Sequence, residues 1–387
     1  MSLLVEATRH MGEYLEIVLA EHTPLRRRVI VRSAGAVVGD LWYEAITPVV
    51  RPFSGATLDF AAIALLPYAM RQRTALHIVG PVTRSLLANL EEYQDAWVRW
   101  RPDLFGRVNL TAETLLDTGA LAQPQAAANA QGAVLAFSGG LDSTYALIAN
   151  HTRALGLRSK TIATLAMVHG FDIPLQDEAA FEAASAKAAR LGEAFDVPLQ
   201  RVRTNWRAWS PQWVLTFGIG LSSVLQQFSG DHDAALLSGD KAYGHETFPW
   251  GTNSVTNHLM SSREFPLIGV KYGATRTEKA QLVGQHPLAR ELVRVCWAGA
   301  DLSKNCGHCE KCLRTKLSFL AAGAGVIPAL GDLDLAELAN LSSNTLGGVD
   351  GLEEILAAEP GLPPDVYAAL LPVVERERAK YIPVPVS

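Results

Sequence analysis

Short apolar runs alternate with longer segments in which apolar residues recur every three or four positions. Runs too short to form helices predict buried strands, whereas the three- and four-residue spacing predicts helices. The predicted strands are 28–31, 37–43, 76–79, 108–110, 134–137, 161–168, 199–203 and 234–237. The predicted helices are 58–66, 82–100, 143–153, 177–195, 214–228, 310–322, 335–341 and 366–380. Pro67 is expected to end or kink the first helix.

From residue 133 onward, strands and helices alternate, which predicts an α/β fold with a mainly parallel, twisted sheet and helices on both faces. We predict three units: an α+β domain over 1–130, the α/β domain over 131–290, and a metal-binding knuckle with helices over 291–387. The segment 119–132, rich in Ala, Gln, Pro and Gly, is predicted to connect the first two, although its Ala-rich part could be helical. Ligands of such sheets bind where the strands' carboxyl ends meet.

The most informative motif is Ser138-Gly139-Gly140-Leu141-Asp142-Ser143, between a predicted strand and a predicted helix. Glycines let backbone N–H groups turn toward an anion, and the start of a helix attracts negative charge. The motif therefore predicts a phosphate-binding loop, with Asp142 as a magnesium ligand or a helix cap. The alternative is an ordinary Gly-Gly turn before a capped helix. No lysine follows the glycines, so this is no Walker loop and γ-phosphoryl transfer is disfavoured.

The four cysteines of the chain are Cys296, Cys306, Cys309 and Cys312. Their C-x9-C-x2-C-x2-C spacing suits four thiolates around one Zn²⁺, and such a site has no open position for catalysis. The spacing predicts a structural zinc, with an iron–sulfur cluster as the main alternative.

The loop and the cysteines together resemble the PP-loop, or N-type, ATP pyrophosphatases, in the branch similar to 7-cyano-7-deazaguanine synthase. The resemblance covers about residues 133–320. It implies that Mg-ATP is cleaved between the α- and β-phosphates, with pyrophosphate held by residues 138–143 and a carboxylate or amide of the substrate adenylated for attack by ammonia or an amine. The segment 275–279 is similar to a phosphate-contacting stretch of that family, which implies that Lys279 contacts ATP; otherwise Lys279 is an exposed helix lysine.

The chain departs from this family in two places. The family's Y-P-D-C-R-P-E substrate motif is replaced by Ser-Gly-Asp-Lys-Ala-Tyr-Gly-His-Glu at 238–246, and residues 1–130 lie outside the pattern. The substrate pocket therefore cannot be transferred. The chain is similar to a longer branch of synthase-like proteins that is associated with biosynthetic or defence gene sets.

Other candidates follow the predicted strands. His169 and Asp172 come after the second strand of the α/β domain, at the edge that contacts adenine and ribose in PP-loop folds, although a strand-ending turn is an alternative. Asn205 follows the third strand, and Asp240 follows the fourth, where it could act in catalysis by binding magnesium or substrate.

His245 and Glu246 could transfer protons, or could simply be solvated loop residues. Four tryptophans could line a planar pocket or pack in a core. They are Trp206, Trp209, Trp213 and Trp250.

The net charge of −5 disfavours nucleic acid and anionic membranes as partners. No apolar stretch is long enough for a transmembrane helix or a signal peptide, so we expect a cytoplasmic protein. With all cysteines assigned to metal and Ser at position 2, no persulfide carrier or glutaminase is expected, and external sulfur remains possible as the nucleophile.

The expected acceptor is a small molecule. The alternatives are a partner protein recognised through residues 1–130, or nucleotide binding without turnover. A homodimer is also possible.

Overall fold

The computed structural model describes residues 14–117, 132–299, 301–343 and 345–381. Ten strands within these ranges form one sheet in the order β10-β9-β6-β7-β8-β3-β2-β1-β4-β5. Their bounds are β1 (Tyr14–His22), β2 (Arg26–Ser33), β3 (Ala36–Ala45), β4 (Ala75–Thr83), β5 (Leu110–Leu116), β6 (Ala133–Ala136), β7 (Ile162–His169), β8 (Leu199–Thr204), β9 (Ala234–Ser238) and β10 (Leu267–Val270).

Eleven α-helices accompany the sheet in the described ranges. They are α1 (Asp59–Gln72), α2 (Arg84–Trp100), α3 (Leu141–His151), α4 (Glu178–Glu193), α5 (Trp213–Leu225), α6 (Arg276–Gly284), α7 (Pro287–Leu292), α8 (Glu310–Ala321), α9 (Leu335–Leu338), α10 (Leu346–Leu356) and α11 (Pro364–Ala379). None of these helices combines the length and the apolarity that a membrane crossing requires.

The sheet is mostly parallel, which confirms the predicted α/β class. Strands β6 to β10 are all parallel, and β6 lies between β7 and β9. Their two faces pack in separate cores: Val134 of β6 belongs to the core that contains α1 and α5, and its neighbour Leu135 to the core that contains α3 and α4. From β6 the chain continues to β7 and β8 on one side, and after β8 it crosses to β9 on the other side of β6. The strand order therefore reverses at β6, and ligands of such sheets bind in the crevice at the carboxyl end of the strand where this happens.

The N-terminal strands extend the same sheet instead of forming a separate one. β3 pairs antiparallel with β8, with Tyr43 opposite Thr204 and Ala45 opposite Val202. The Asn205 side chain reinforces this junction, because it accepts from Trp42 N at 2.9 Å and donates to Asp40 O at 2.8 Å. The predicted connector lies outside the described residues, apart from Gly132.

Several predictions for individual elements need correction. Pro67, which was expected to end or kink α1, does not end this helix, which continues to Gln72. Every residue from 59 to 67 is buried, so packing against the sheet and α5 outweighs the lost backbone hydrogen bond. Strands β1 and β10 and helices α6 and α7 were not predicted, and the strand predicted at 108–110 is β5, which spans Leu110–Leu116. Helix α10 was also missed, because its three glycines disguise a helical pattern.

Asp59, at the start of α1, is a buried carboxyl whose oxygens accept from Thr83 N and Thr83 Oγ1, both at 2.8 Å. Burial raises its pKa from the ordinary 3.8 to about 6, although both hydrogen bonds oppose the rise. The folded state therefore holds this proton more tightly than the unfolded state. This contribution to stability is greatest below pH 3.8 and is lost as the pH rises through about 6.

Asp59→Asn should therefore remove one pH dependence of folding. An asparagine amide can donate to Thr83 Oγ1 and accept from Thr83 N, so the hydrogen bonds are retained. Between pH 5 and 7.5, the free energy of unfolding of the variant should rise by about 1–2 kcal/mol relative to the wild type. Urea unfolding at both pH values measures this difference; a difference that stays constant with pH would contradict the raised pKa.

Candidate active site

A cavity of about 670 Å³ opens at the carboxyl end of β6. Its walls come from residues 136–138 and 140–143, the ends of β7 and β9, α5, the loop after β9, and residues near the cysteines and α10. Most of the predicted site residues line this cavity: Ser138, Gly140, Leu141, Asp142, Ser143, Asp172 and Asp240. Gly139, His169 and Lys279 do not line it.

The loop before α3 has the conformation expected of an anion-binding turn. Gly139 has φ +71°, and a Cβ on Gly140 would approach Ser138 Oγ to 3.2 Å and Arg294 O to 3.3 Å, so both positions favour glycine. The first backbone hydrogen bond of α3 runs from Thr144 N to Gly140 O, and no side chain caps the start of the helix. The three preceding N–H groups therefore have no acceptor within the helix, and they lie beside the cavity.

Asp142 is held by two cations behind this loop. Its Oδ1 accepts from Lys279 Nζ at 2.8 Å, and its Oδ2 lies 3.3 Å from Arg276 Nη1. Burial would raise the pKa of this carboxyl, but Lys279 and then Arg276 outweigh the burial and hold the pKa below its ordinary value. Asp142 is therefore ionised at neutral pH and fixes the position of the loop.

Lys279 lies elsewhere than the family resemblance implied. Only 1% of its side chain is exposed, and its Nζ donates to Gly239 O at 2.5 Å and to Asp240 O at 3.3 Å as well as to Asp142. These three acceptors saturate the ammonium. Lys279 thus joins the loop to the end of β9 without reaching the cavity, and the alternative of an exposed helix lysine is also wrong.

Sequence reasoning missed most of the positive charge around the cavity. Five cationic side chains line it, and none was a candidate: Lys241, Arg276, Arg294, Lys311 and Arg314. Arg276 also donates to Thr315 Oγ1 at 3.0 Å, and Arg314 lies 2.7 Å from Glu310. Such a concentration of cations favours a multiply charged anion as the ligand.

Arg294 is the most deeply buried of these cations, with 4% of its surface exposed. Its backbone N–H donates to Gly139 O at 2.9 Å, and its guanidinium lies 3.7 Å above the Trp297 ring. Nη1 and Nη2 have no hydrogen-bond partner within the described ranges. Burial lowers the pKa of Arg294 to about 10, so the group remains charged at neutral pH.

Two candidate residues, His169 at the end of β7 and Asn205 just after β8, pack within the fold and do not line the cavity. His169 is 3% exposed, stacks on Phe181 at 4.4 Å, and shares a hydrogen bond between Nε2 and Pro174 O at 2.9 Å. Burial lowers its pKa, so it is neutral at pH 7. Asn205 supports the junction with β3. Asp172, in contrast, opens into the cavity, where desolvation raises its pKa against the effect of Lys311 and Arg207.

The four tryptophans divide between the two predicted roles. Trp206 and Trp209 are buried and donate to backbone carbonyls, Ala64 O at 2.9 Å and Asp40 O at 3.0 Å. Trp213 and Trp250 line the cavity. They form an apolar wall together with Phe171, Phe217 and Leu221.

The loop after β9 contributes polar groups to this wall. Asp240 accepts from Trp250 Nε1, and Lys241 lies 5.1 Å from the Trp250 ring and donates to Thr247 Oγ1 at 2.7 Å. His245 lines the cavity, whereas Glu246 accepts from Ser254 N at 2.8 Å and faces elsewhere. The predicted proton-transfer pair is therefore not assembled in the cavity.

The four cysteine sulfurs lie within 4.8 Å of one another and could hold a metal ion such as zinc. Sγ of Cys306 and Sγ of Cys312 are 3.9 Å apart, close to the roughly 3.8 Å expected for Zn–S bonds of about 2.3 Å in a tetrahedron. Cys306 N donates to Cys296 Sγ at 3.2 Å, and Cys309 N to Cys306 Sγ at 3.3 Å. Such bonds stabilise thiolates.

The cluster lies next to the cavity along the chain. Cys296 follows Arg294 by two residues, and Cys309 directly precedes α8, whose first turns place Lys311 and Arg314 on the cavity wall. A metal bound here would therefore hold several cavity residues in place.

Comparisons of the chain with models of protein families, with curated proteins and with solved structures gave no match.

Proposed function

We propose that the protein binds ATP in this cavity and transfers its adenylyl group to an oxygen of a second substrate, releasing pyrophosphate. The observation that carries the proposal is the uncapped start of α3, which meets a group of cations at the carboxyl end of β6. Backbone N–H groups and cations converging at a helix start bind phosphate groups. The absence of a Walker lysine in the loop favours cleavage at the α-phosphorus over γ-phosphoryl transfer.

The dimensions and lining of the cavity suit this substrate. Its volume of about 670 Å³ lies within the roughly 300–1,000 Å³ of small-molecule sites. At the end of β7, the apolar residues Ala166, Met167 and Val168 also line the cavity and could contact a nucleoside base. Asp172 and Asp240 supply carboxylates that could hold magnesium, which would neutralise part of the phosphate charge. Asp142 is less suited to this role, because Lys279 and Arg276 already engage both of its oxygens.

In the proposed reaction, a carboxylate or amide oxygen of the acceptor forms a bond to the α-phosphorus. The bond from that phosphorus to the bridging oxygen breaks, and pyrophosphate leaves with the electron pair. The N–H groups of α3, Arg276 and Arg294 stabilise the negative charge that develops on the leaving group. Ammonia or an amine then displaces AMP. The apolar wall of Trp213, Phe217 and Trp250 would exclude water from the adenylate.

The cysteine cluster would hold a structural zinc in this proposal. Four thiolates complete a tetrahedral site, so the metal would fix Arg294 and α8 without touching the reacting groups.

An acceptor carried by a partner protein is the second candidate. The loop that lines the cavity also exposes large apolar side chains: Tyr243 is 65%, Phe248 42% and Val255 45% exposed. Such a group of side chains is suited to contact with another protein.

The nucleotide products test the proposed reaction. A cell extract is first separated by size into a small-molecule fraction and a protein fraction. Zinc-loaded protein is then incubated with magnesium, ATP and one of these fractions, and the nucleotides are resolved by anion-exchange chromatography. We expect AMP and pyrophosphate in equal amounts, dependent on one of the fractions. The fraction that supports AMP release identifies the class of acceptor. ADP and phosphate as the products would contradict cleavage at the α-phosphorus.

A further inference from the structure

Arg294 is a buried cation whose Nη atoms contact no carboxylate directly within the described residues. Nη1 and Nη2 lack hydrogen-bond partners among the described residues, and Nε makes only a long contact of 3.4 Å to Cys296 O. Cys296, two residues away, and then Asp301 favour its charged form, but neither accepts a hydrogen bond from its Nη atoms. The Asp301 carboxylate instead accepts from Ser303 N at 2.9 Å and lies 3.4 Å from Lys304 Nζ. The guanidinium therefore has two strong donors without acceptors.

Arg290, four residues earlier, is a structural arginine whose guanidinium has hydrogen-bond acceptors within the protein. Its Nη1 donates to Gly284 O at 3.2 Å and to Ala324 O at 2.6 Å, and its Nη2 donates to Val326 O at 2.9 Å. Leaving a buried charge without partners costs free energy, so proteins seldom retain one without a use. The contrast indicates that the acceptors of Arg294 come from a ligand.

The position of Arg294 identifies the charge of that ligand. Its backbone N–H holds Gly139 O, and its carbonyl oxygen would be 3.3 Å from a Cβ at Gly140, so it directly adjoins the phosphate loop. Arg294 is one of the residues that line the same cavity as the first turn of α3. The Trp297 ring, 3.7 Å below the guanidinium, restrains the plane of its two donors. A planar pair of donors beside free N–H groups matches two oxygens of a phosphoryl group.

We propose that Arg294, stacked on Trp297, binds the terminal phosphates of the nucleotide and retains pyrophosphate after bond cleavage, together with the first turn of α3. The identity of the nucleotide rests on the proposed function. Binding of inorganic pyrophosphate does not require turnover, so this subsite can be tested separately.

The test is calorimetric titration of zinc-loaded protein with inorganic pyrophosphate, alongside thermal unfolding with and without the anion. Arg294→Met removes the charge at similar volume, and Arg294→Lys keeps the charge but loses the paired donors. We expect the pyrophosphate Kd to rise about tenfold in the lysine variant and about a hundredfold in the methionine variant. Without ligand, Arg294→Met should unfold at the same temperature as the wild type or higher, because a buried unpaired cation has been removed.

Arg290→Met is the matched control. It should lower the unfolding temperature, because three backbone carbonyls lose their donors, and leave the pyrophosphate Kd unchanged. Arg294 would be structural, and the subsite wrong, if Arg294→Met bound pyrophosphate like the wild type. If Arg294→Met lost pyrophosphate binding but the wild type never formed AMP, the pyrophosphate subsite would be supported and the proposed adenylation reaction would be contradicted.

Discussion

Replacing Asp142 by asparagine is expected to lower ATP-dependent AMP release by about a hundredfold or more. The carboxylate holds Lys279 at 2.8 Å and Arg276 at 3.3 Å, and this pairing fixes the first turn of α3 beside the cavity. Preorganised donors of this kind are worth roughly 10²–10³ in rate, and asparagine cannot hold two cations. AMP release by the variant and the wild type, measured at saturating ATP, gives the ratio.

Loss of activity in Asp142→Ala alone would be ambiguous, because Lys279 is 1% exposed and would lose the one counter-ion that contacts it directly within the described residues. Removing one partner of a buried pair costs about 3–5 kcal/mol. The double variant Asp142→Ala with Lys279→Met should regain most of that stability in urea unfolding. It should not regain AMP release, because the loop is no longer held from behind. Recovery of AMP release by the double variant would show that the pair serves folding alone.

The sequence was informative where a function depends on adjacent residues. The loop at 138–143 and the cysteine spacing are local patterns, so their geometry follows from backbone chemistry. The contacts of Lys279 could not be predicted in this way. It is 137 positions from Asp142, and no periodicity indicates from which side it approaches the loop. Its family resemblance implied phosphate contact, whereas its three acceptors place it behind Asp142.

Arg294 did carry a signal that could have been used. It lies between Val293 and Val295 and two residues before Cys296, and a lone cation in an apolar run close to a candidate metal ligand is a candidate for burial. Arg276 and Arg314 carry no comparable signal, since charged residues on amphipathic helices are usually solvated. Only the packing of α6 against α3, and of α8 against α6, shows that they line the cavity.

The place of the N-terminal half also depends on contacts distant in sequence. The pairing of β3 with β8 joins residues about 160 positions apart, which alternation alone cannot predict. Helix α2 then packs against the loop that carries cavity residues: Trp100 stacks on Phe248 at 5.1 Å, and Asn89 donates to Ser261 O at 2.7 Å. The N-terminal half therefore supports one wall of the cavity, a role that the sequence left open.

The cysteine cluster adjoins another part of the cavity wall, and Cys312→Ser should show how much of the structure depends on it. Cys312 is fully buried at the third position of α8, the helix that also carries Arg314. Structural zinc binds small domains with about 10–16 kcal/mol, so losing one of four thiolates should lower the free energy of unfolding by on the order of 3–5 kcal/mol. Zinc content and urea unfolding measure the loss.

Measurements of both stability and pyrophosphate affinity distinguish the effect of Cys312→Ser from that of Arg294→Met. In Cys312→Ser, stability and affinity should fall together, because Arg294 and α8 lose a common anchor; in Arg294→Met, affinity should fall alone. Cys309→His is the matched control, since Cys₃His is an ordinary ligand set for structural zinc, and it should retain zinc and pyrophosphate binding. A Cys312→Ser protein that lacks zinc yet unfolds and binds pyrophosphate like the wild type would show that the cluster does not hold the cavity wall.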